Sequence, residues 1–312
     1  MSDNSSLIGG ESLQWQINDR VIIVQLLVMI FLCINFLLIL TFFQKECFYT
    51  TTRYILFAVT LLSDSFVLLM TDVILILHYF QIPMHVWLCI IISFLLILHL
   101  LITPVTLTAM TLERYVAICM PLRHGELCSR HSTVNCILII HGLSSVPCIV
   151  VLSAFFASVS LSFYEQHSVC SVQIFLVHRW QKHLWSTVNQ LYFLIMCIMI
   201  VFSYVKILKV AKTASGENKK STWKGLRTVI LHAFQLLLCL IQLLFPFIEA
   251  ALPQINVSFF NTVRYFNYIM FSLAPRCLSP LIYGLRDEKF FHAIKNVCFG
   301  LCTASIWKVF TV

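Results

Sequence analysis

Hydrophobic residues in this chain come in long blocks separated by short polar joints, not at the period of two that marks a half-buried strand. Seven such blocks, at 21–43, 54–77, 86–118, 134–156, 184–205, 229–251 and 262–283, are each long enough to cross roughly 30 Å of hydrocarbon as a helix. Apolarity on every side suits a helix in lipid, because a helix satisfies its own backbone hydrogen bonds where no water can. The expected fold is therefore an all-α membrane protein, a seven-transmembrane helix bundle at 21–283. A polar extracellular tail is expected at 1–20, and a short cytoplasmic amphipathic helix with a C-terminal tail at 284–312. In that last segment Phe290, Phe291, Ile294 and Val297 recur at helical spacing, which predicts a helix lying along the membrane surface.

Composition agrees with the pattern: 60% of residues are hydrophobic and 11% charged, against about half and about a quarter in soluble domains. Orientation follows from Lys and Arg. Of the 21, Arg114, Arg264 and Arg276 fall inside spans and only Arg20, Arg179 and Lys182 lie on the N-terminal side of the membrane; the rest share the other side. The positive-inside rule makes that richer side cytoplasmic, with the N-terminus outside. Topology and attraction to anionic membrane lipid then explain the net charge of +8, and nucleic acid is not an expected partner. Residues 1–20 lack a basic start, an apolar core and a cleavage site, so the first span is expected to serve as an uncleaved insertion signal. Asn4-Ser5-Ser6 is a glycosylation pattern on the outer side; Asn256-Val257-Ser258 is a second, closer to the membrane.

Topology also sorts the 13 cysteines. Cys33, Cys136, Cys148, Cys197, Cys239 and Cys277 lie within spans, and Cys47, Cys119, Cys128, Cys298 and Cys302 are cytoplasmic or at that boundary. Cys89 and Cys170 remain on the oxidising side, where one disulfide is possible, the alternative being two free thiols. The bridge would hold the second outer loop across the mouth of the bundle. Cys298 and Cys302 are palmitoylation candidates, with free cytoplasmic thiols as the other reading.

Ionisable residues at membrane depth are costly and tend to pair. Asp64 stands near the middle of span two, and Arg276 lies roughly 10 Å inside the cytoplasmic end of span seven at 1.5 Å per residue. Their depths match, so Arg276 is expected to neutralise Asp64 in place of a bound sodium ion; the alternative is an Arg276 that meets water or backbone carbonyls. Pro275 and Pro280 remove helix hydrogen bonds in span seven, and Pro246 does so in span six, so local bends are expected. A second charged pair, Glu113 and Arg114, stands at the foot of span three.

The run Glu113-Arg114-Tyr115-Val-Ala-Ile-Cys-Met-Pro-Leu-Arg-His124 resembles the signature ending span three of rhodopsin-like G-protein-coupled receptors, in its olfactory form above all. Asn35, Asp64, the Cys89 and Cys170 pair, Ser203-Tyr204, the stretch Lys224 to Thr228 with His232, and Ser279-Pro280-Leu-Ile-Tyr283 stand where that family has its landmarks. The resemblance covers all seven spans. Ser279 stands where the family usually has Asn, His141 or its neighbours where it has Trp, and Arg276 is unexpected; with the unusual first inner loop, Phe48 to Phe57, these departures suggest a divergent, fish-type odorant receptor.

The resemblance implies a resting lock between Arg114 and Glu113 beside Tyr115. Activation would free Arg114, move span six outward and admit the C-terminal helix of a heterotrimeric G protein's α subunit, with Tyr204 and Tyr283 turning in to support Arg114 and the bend at Pro280 as a hinge. A stimulatory G protein raising cyclic AMP is the expected transducer. A small-molecule odorant would bind in the outer half, against Ser93, Leu96, Ile97, Leu100, Phe247, Tyr265 and Tyr268. Asp72, Glu249, Arg264 and His99 could add polar contacts. No carboxylate stands among Ser93, Leu96, Ile97 and Leu100 of span three, which argues against an amine receptor, and absence of a lysine in span seven excludes a retinal Schiff base. No cofactor or metal is implied. A peptide or lipid receptor of the same fold stays open, as does a proton-coupled transporter using Asp64, Asp72, His99, His141, His232 and Arg276. The chain shows no internal repeat, which weakens the transporter, and no His-Glu-x-x-His or similar constellation of an intramembrane enzyme.

Overall fold

A computed structural model describes residues 3–213, 223, 226–227, 229–231, 233–239, 241, 257–278 and 289–298. The long helices are α1 (Asp3–Phe43), α3 (Thr52–Tyr79), α4 (Val86–Cys119), α6 (Arg130–Phe156) and α7 (Arg179–Thr213), joined in part by two short ones, α2 (Glu46–Thr50) and α5 (Pro121–Leu127). All five long helices are apolar and long enough to cross a membrane. They match the first five expected spans. A shorter apolar helix, α8 (Val229–Cys239), covers the described part of the sixth. The seventh begins as α9 (Val257–Asn267) and continues as a π-helical segment, Tyr268–Leu273.

Packing places α4 at the centre, against α3, α6 and α7. Half of its apolar window is buried, compared with 22% for α1 and α7, whose outward faces are left for lipid. The largest core cluster joins Leu38, Phe57, Leu61, Ile102, Leu107 and Met110 with Met196 and Leu236. It extends to Phe290 and Ala293 on residues 289–298. These residues are helical, with Phe290, Ala293 and Val297 buried. Phe290 packs edge-on against Phe48 at 5.0 Å and Phe57 at 5.6 Å, so this helix presses its apolar side on the turn between α1 and α3. Phe291 and Ile294 are half-buried beside it.

Two local features differ from a plain helix bundle. Pro83–His85 (β1) and His167–Val169 (β2) form a short antiparallel ladder, with Pro83 opposite Val169 and His85 opposite His167. Three residues per strand give no legible alternation, and the Cys89–Cys170 disulfide beside them holds the pair in place. The irregular part of the seventh helix lies before Pro275, where the missing proline N–H breaks the regular ladder and a π-helical turn absorbs the mismatch. Helix α1 also reaches back to Asp3, into the segment expected as a tail, although its apolar part begins at Asp19.

Candidate functional site

Three constellations lie along α4, from the disulfide end to the basic end. At the disulfide end, Phe94 and Ile97 of α4, Cys148, Val151 and Leu152 of α6, Trp185 of α7 and Phe175 of the connecting loop line a small void of about 10 Å³. Pro147 interrupts the hydrogen-bond ladder of α6 beside it. Phe175 is held over the void by an edge-on contact with Phe155 at 5.5 Å. The Cys148 thiol donates to the Ser144 carbonyl at 3.5 Å and so turns back on its own helix. No charged side chain is among the lining residues. An ionised group there would lose its hydration without a partner, so the lining disfavours charge.

Of Ser93, Leu96, Ile97, Leu100, Tyr265 and Tyr268, only Ile97 reaches this void. Ser93 is fully buried with its hydroxyl 3.8 Å from Cys89 Sγ, Leu96 is buried and Leu100 half-buried. Tyr265 and Tyr268 pack instead against Val24, Val28 and Leu68, and the Tyr268 hydroxyl donates to Thr71 at 3.4 Å. The physical reason is that α4 is buried on several sides, so helical spacing cannot say which face meets a cavity. His99 likewise faces α3, 3.2 Å from the Ser63 hydroxyl. Phe247, Glu249 and Pro246 lie outside the described residues, as does the side chain of Arg264.

Halfway along α4, Thr103 donates to Asp64 Oδ1 at 2.9 Å. Arg276 Nε stands 3.9 Å from the same oxygen, and Arg276 Nη1 also donates to the Ser272 carbonyl. Both sequence alternatives for Arg276 thus occur together: it faces the acid and caps a backbone carbonyl. Gln235 of α8 donates to the Pro275 carbonyl at 2.9 Å, and Asn35 of α1 to the Ser65 hydroxyl at 3.1 Å. These contacts make a buried polar layer that reaches α1, α3, α4, α8 and the seventh helix. Ser279, Pro280 and Tyr283 fall outside the described residues.

At the foot of α4, Glu113 Oε2 is 3.6 Å from Arg114 Nε, and Glu113 Oε1 is 3.4 Å from His124 Nε2 on α5. Sequence neighbours on a helix do not face each other, so the Glu113–Arg114 contact depends on the long side chains folding back. His124 closes the run that resembles the signature but carries no role there; its place beyond the end of α4 and Pro121 gives no sign that α5 turns it back under Glu113. Tyr115 and Tyr204 pack around Ile207, Leu226 and Val229, and Tyr115 meets Phe202 edge-on at 5.5 Å. Between α5 and α6, burial raises the pKa of the Cys128 thiol, and the Glu113 charge adds to the shift. Cys298 is half-buried at the end of its helix and in no disulfide, and Cys302 lies outside the described residues. Asn4 is on α1.

The pairing of Cys89 with Cys170 is present, with Cα atoms 5.5 Å apart. Residues 34–283 match the family described as 7 transmembrane receptor (rhodopsin family). The chain is 41% identical over 298 residues to odorant receptor 131-2 of Danio rerio, covering 96% of this chain and 91% of that one. It is 26% identical over 230 residues to galanin receptor 2b of Danio rerio, covering 68% and 56%, and 24% identical over 213 residues to human olfactory receptor 52A1, covering 62% of each. A central helix that links an apolar cavity to an acid–arginine cluster, the disulfide and these matches lead to one conclusion: the chain belongs to the rhodopsin family of seven-transmembrane, G-protein-coupled receptors, non-enzymatic membrane receptors, and is odorant-receptor-like.

Proposed function

We propose that this receptor binds a small, uncharged, largely apolar odorant in the void between α4, α6 and α7 and passes the signal along α4 to a heterotrimeric G protein of the stimulatory type. The observation that carries the reading is the position of the void on the helix that ends in Glu113 and Arg114. In this account the disulfide end faces outward, in keeping with an oxidising compartment. The basic end faces the cytoplasm, by the distribution of Lys and Arg.

Occupation of the void pushes on Phe94 and Ile97 of α4 and on Trp185 of α7. Rigid helices carry that shift to the basic end, where Tyr115, Tyr204 and Val229 pack together. Separation of α8 from this cluster frees Arg114 from Glu113 and opens a cleft for the α-subunit helix. A ligand can drive this only through a difference in its affinity for the two states. A void that widens when α8 moves would supply that difference.

The test is nucleotide exchange on a purified stimulatory G protein by the receptor in lipid nanodiscs, screened with neutral volatiles, steroids, bile acids and amino acids. Small neutral compounds should accelerate exchange, and Val151→Phe, which fills the void, should weaken their potency at least about tenfold through overpacking while surface abundance is kept. Activation by free amino acids that is indifferent to Val151→Phe would contradict the assignment of the void. Substrate flux without exchange would contradict the signalling role.

A further inference from the structure

Two histidines meet at the rim of the disulfide end, on the short ladder missing from the sequence expectation. His85 of β1 stands directly opposite His167 of β2, both are exposed, and their ring centroids are 4.0 Å apart. Directly opposed residues on antiparallel strands hold their Cβ atoms about 4.5–5.5 Å apart. From there two imidazole nitrogens can reach a common ion at the roughly 2.0–2.1 Å that a zinc–histidine bond requires.

The scaffold under the pair is fixed. Val86 N donates to the Gln166 carbonyl at 3.0 Å, and the Cys89–Cys170 disulfide closes the ladder a few residues on. Holding two side chains in place before the ion arrives removes part of the ordering cost of binding. The rings sit at 47° to each other, so they are tilted and not stacked face to face. Among the described residues no group of three or more His, Cys, Asp or Glu could hold a metal. An ion here would have two protein ligands and keep other positions open.

We propose that His85 and His167 form an outward-facing two-histidine site for a borderline transition-metal ion, zinc or copper(II), whose open positions take water or the amine or carboxylate of a small chelating molecule. Imidazole suits both ions. The ion would tie the head of α4 to the loop that carries Phe175 over the void. That consequence rests on the receptor reading; the binding of metal does not.

Trp87 provides a reporter, since its ring lies 6.2 Å from that of His85. The experiment titrates copper(II) into the full chain in lipid nanodiscs, with free thiols blocked by N-ethylmaleimide, and follows tryptophan emission. Expected is a saturable, partial quench that Trp87→Phe removes and that zinc, which does not quench, reverses by competition. His85→Ala and His167→Ala should each shift the copper midpoint upward by at least about tenfold, in line with loss of one of two ligands. Both side chains are exposed, so the variants should keep the elution profile of the parent. A midpoint unchanged in both variants, or a quench that rises without saturation, would overturn the proposal. Because the readout needs no ligand or G protein, its failure is separate from any failure of the signalling account.

Discussion

Asp64 with Arg276 and Glu113 with Arg114 are both acid–guanidinium contacts longer than a hydrogen bond, at 3.9 Å and 3.6 Å. Their surroundings set them apart. The Asp64 and Arg276 side chains are 0% and 4% exposed, and the acid also accepts from Thr103 while the guanidinium caps Ser272. Glu113 and Arg114 are 9% and 17% exposed, and Glu113 divides its oxygens between Arg114 and a His124 that is 37% exposed. Separating the first pair leaves an ionic charge unbalanced by that contact in a place that water does not reach. Separating the second leaves groups that water and a partner protein can reach. The mid-membrane pair is therefore suited to holding helices together, and the foot pair to opening and closing.

The largest expected effect is on the sealed pair. Arg276→Gln alone removes the guanidinium from beside the buried Asp64 carboxylate and should cost about 3–5 kcal/mol of stability, read as loss of folded receptor in a thermal-shift assay. Neutralising both, Asp64→Asn with Arg276→Gln, should recover most of that loss, because a missing pair costs far less than half a pair. A double variant as unstable as the sum of the singles would remove the pair from the account.

A smaller effect is expected at the foot. Glu113→Gln should cost at most about 1 kcal/mol of stability, as partly exposed pairs do, yet raise ligand-free nucleotide exchange severalfold by releasing Arg114. His124→Ala should raise it less, since His124 holds Glu113 and not Arg114. The reverse ranking would place the restraint on α5 instead.

The smallest effect sharpens the electrostatics of the same spot. Burial first, and the Glu113 charge second, raise the Cys128 pKa, which keeps the thiol protonated to higher pH. Removing the Glu113 charge lowers that pKa and increases the thiolate fraction at a given pH. Alkylation of Cys128 should be modestly faster in Glu113→Gln, measured by mass spectrometry between pH 7 and pH 9, ~7–9 being the range where thiols begin to ionise.

Much of the fold was legible because crossing a membrane demands blocks of apolar residues, and the first five blocks coincide with α1, α3, α4, α6 and α7. Asp64 and Arg276 could be paired from depth alone, since a buried charge admits few partners. The cavity could not be found that way. Phe94, Cys148, Val151, Leu152, Phe175 and Trp185 are ordinary apolar residues, and whether a helix face meets a neighbour, lipid or a void depends on how the helices rotate about their axes. The β1–β2 ladder and the π-helical segment are similarly set by tertiary contacts, the disulfide in one and the strain before Pro275 in the other.

Ligand-free nucleotide exchange per folded receptor, compared between Glu113→Gln and the Asp64→Asn with Arg276→Gln double variant, tests the division of labour most directly. The account predicts a clear rise for Glu113→Gln and a rate close to the parent's for the double variant. A double variant that exchanges faster than Glu113→Gln would contradict it, and would move the switch to the middle of the membrane.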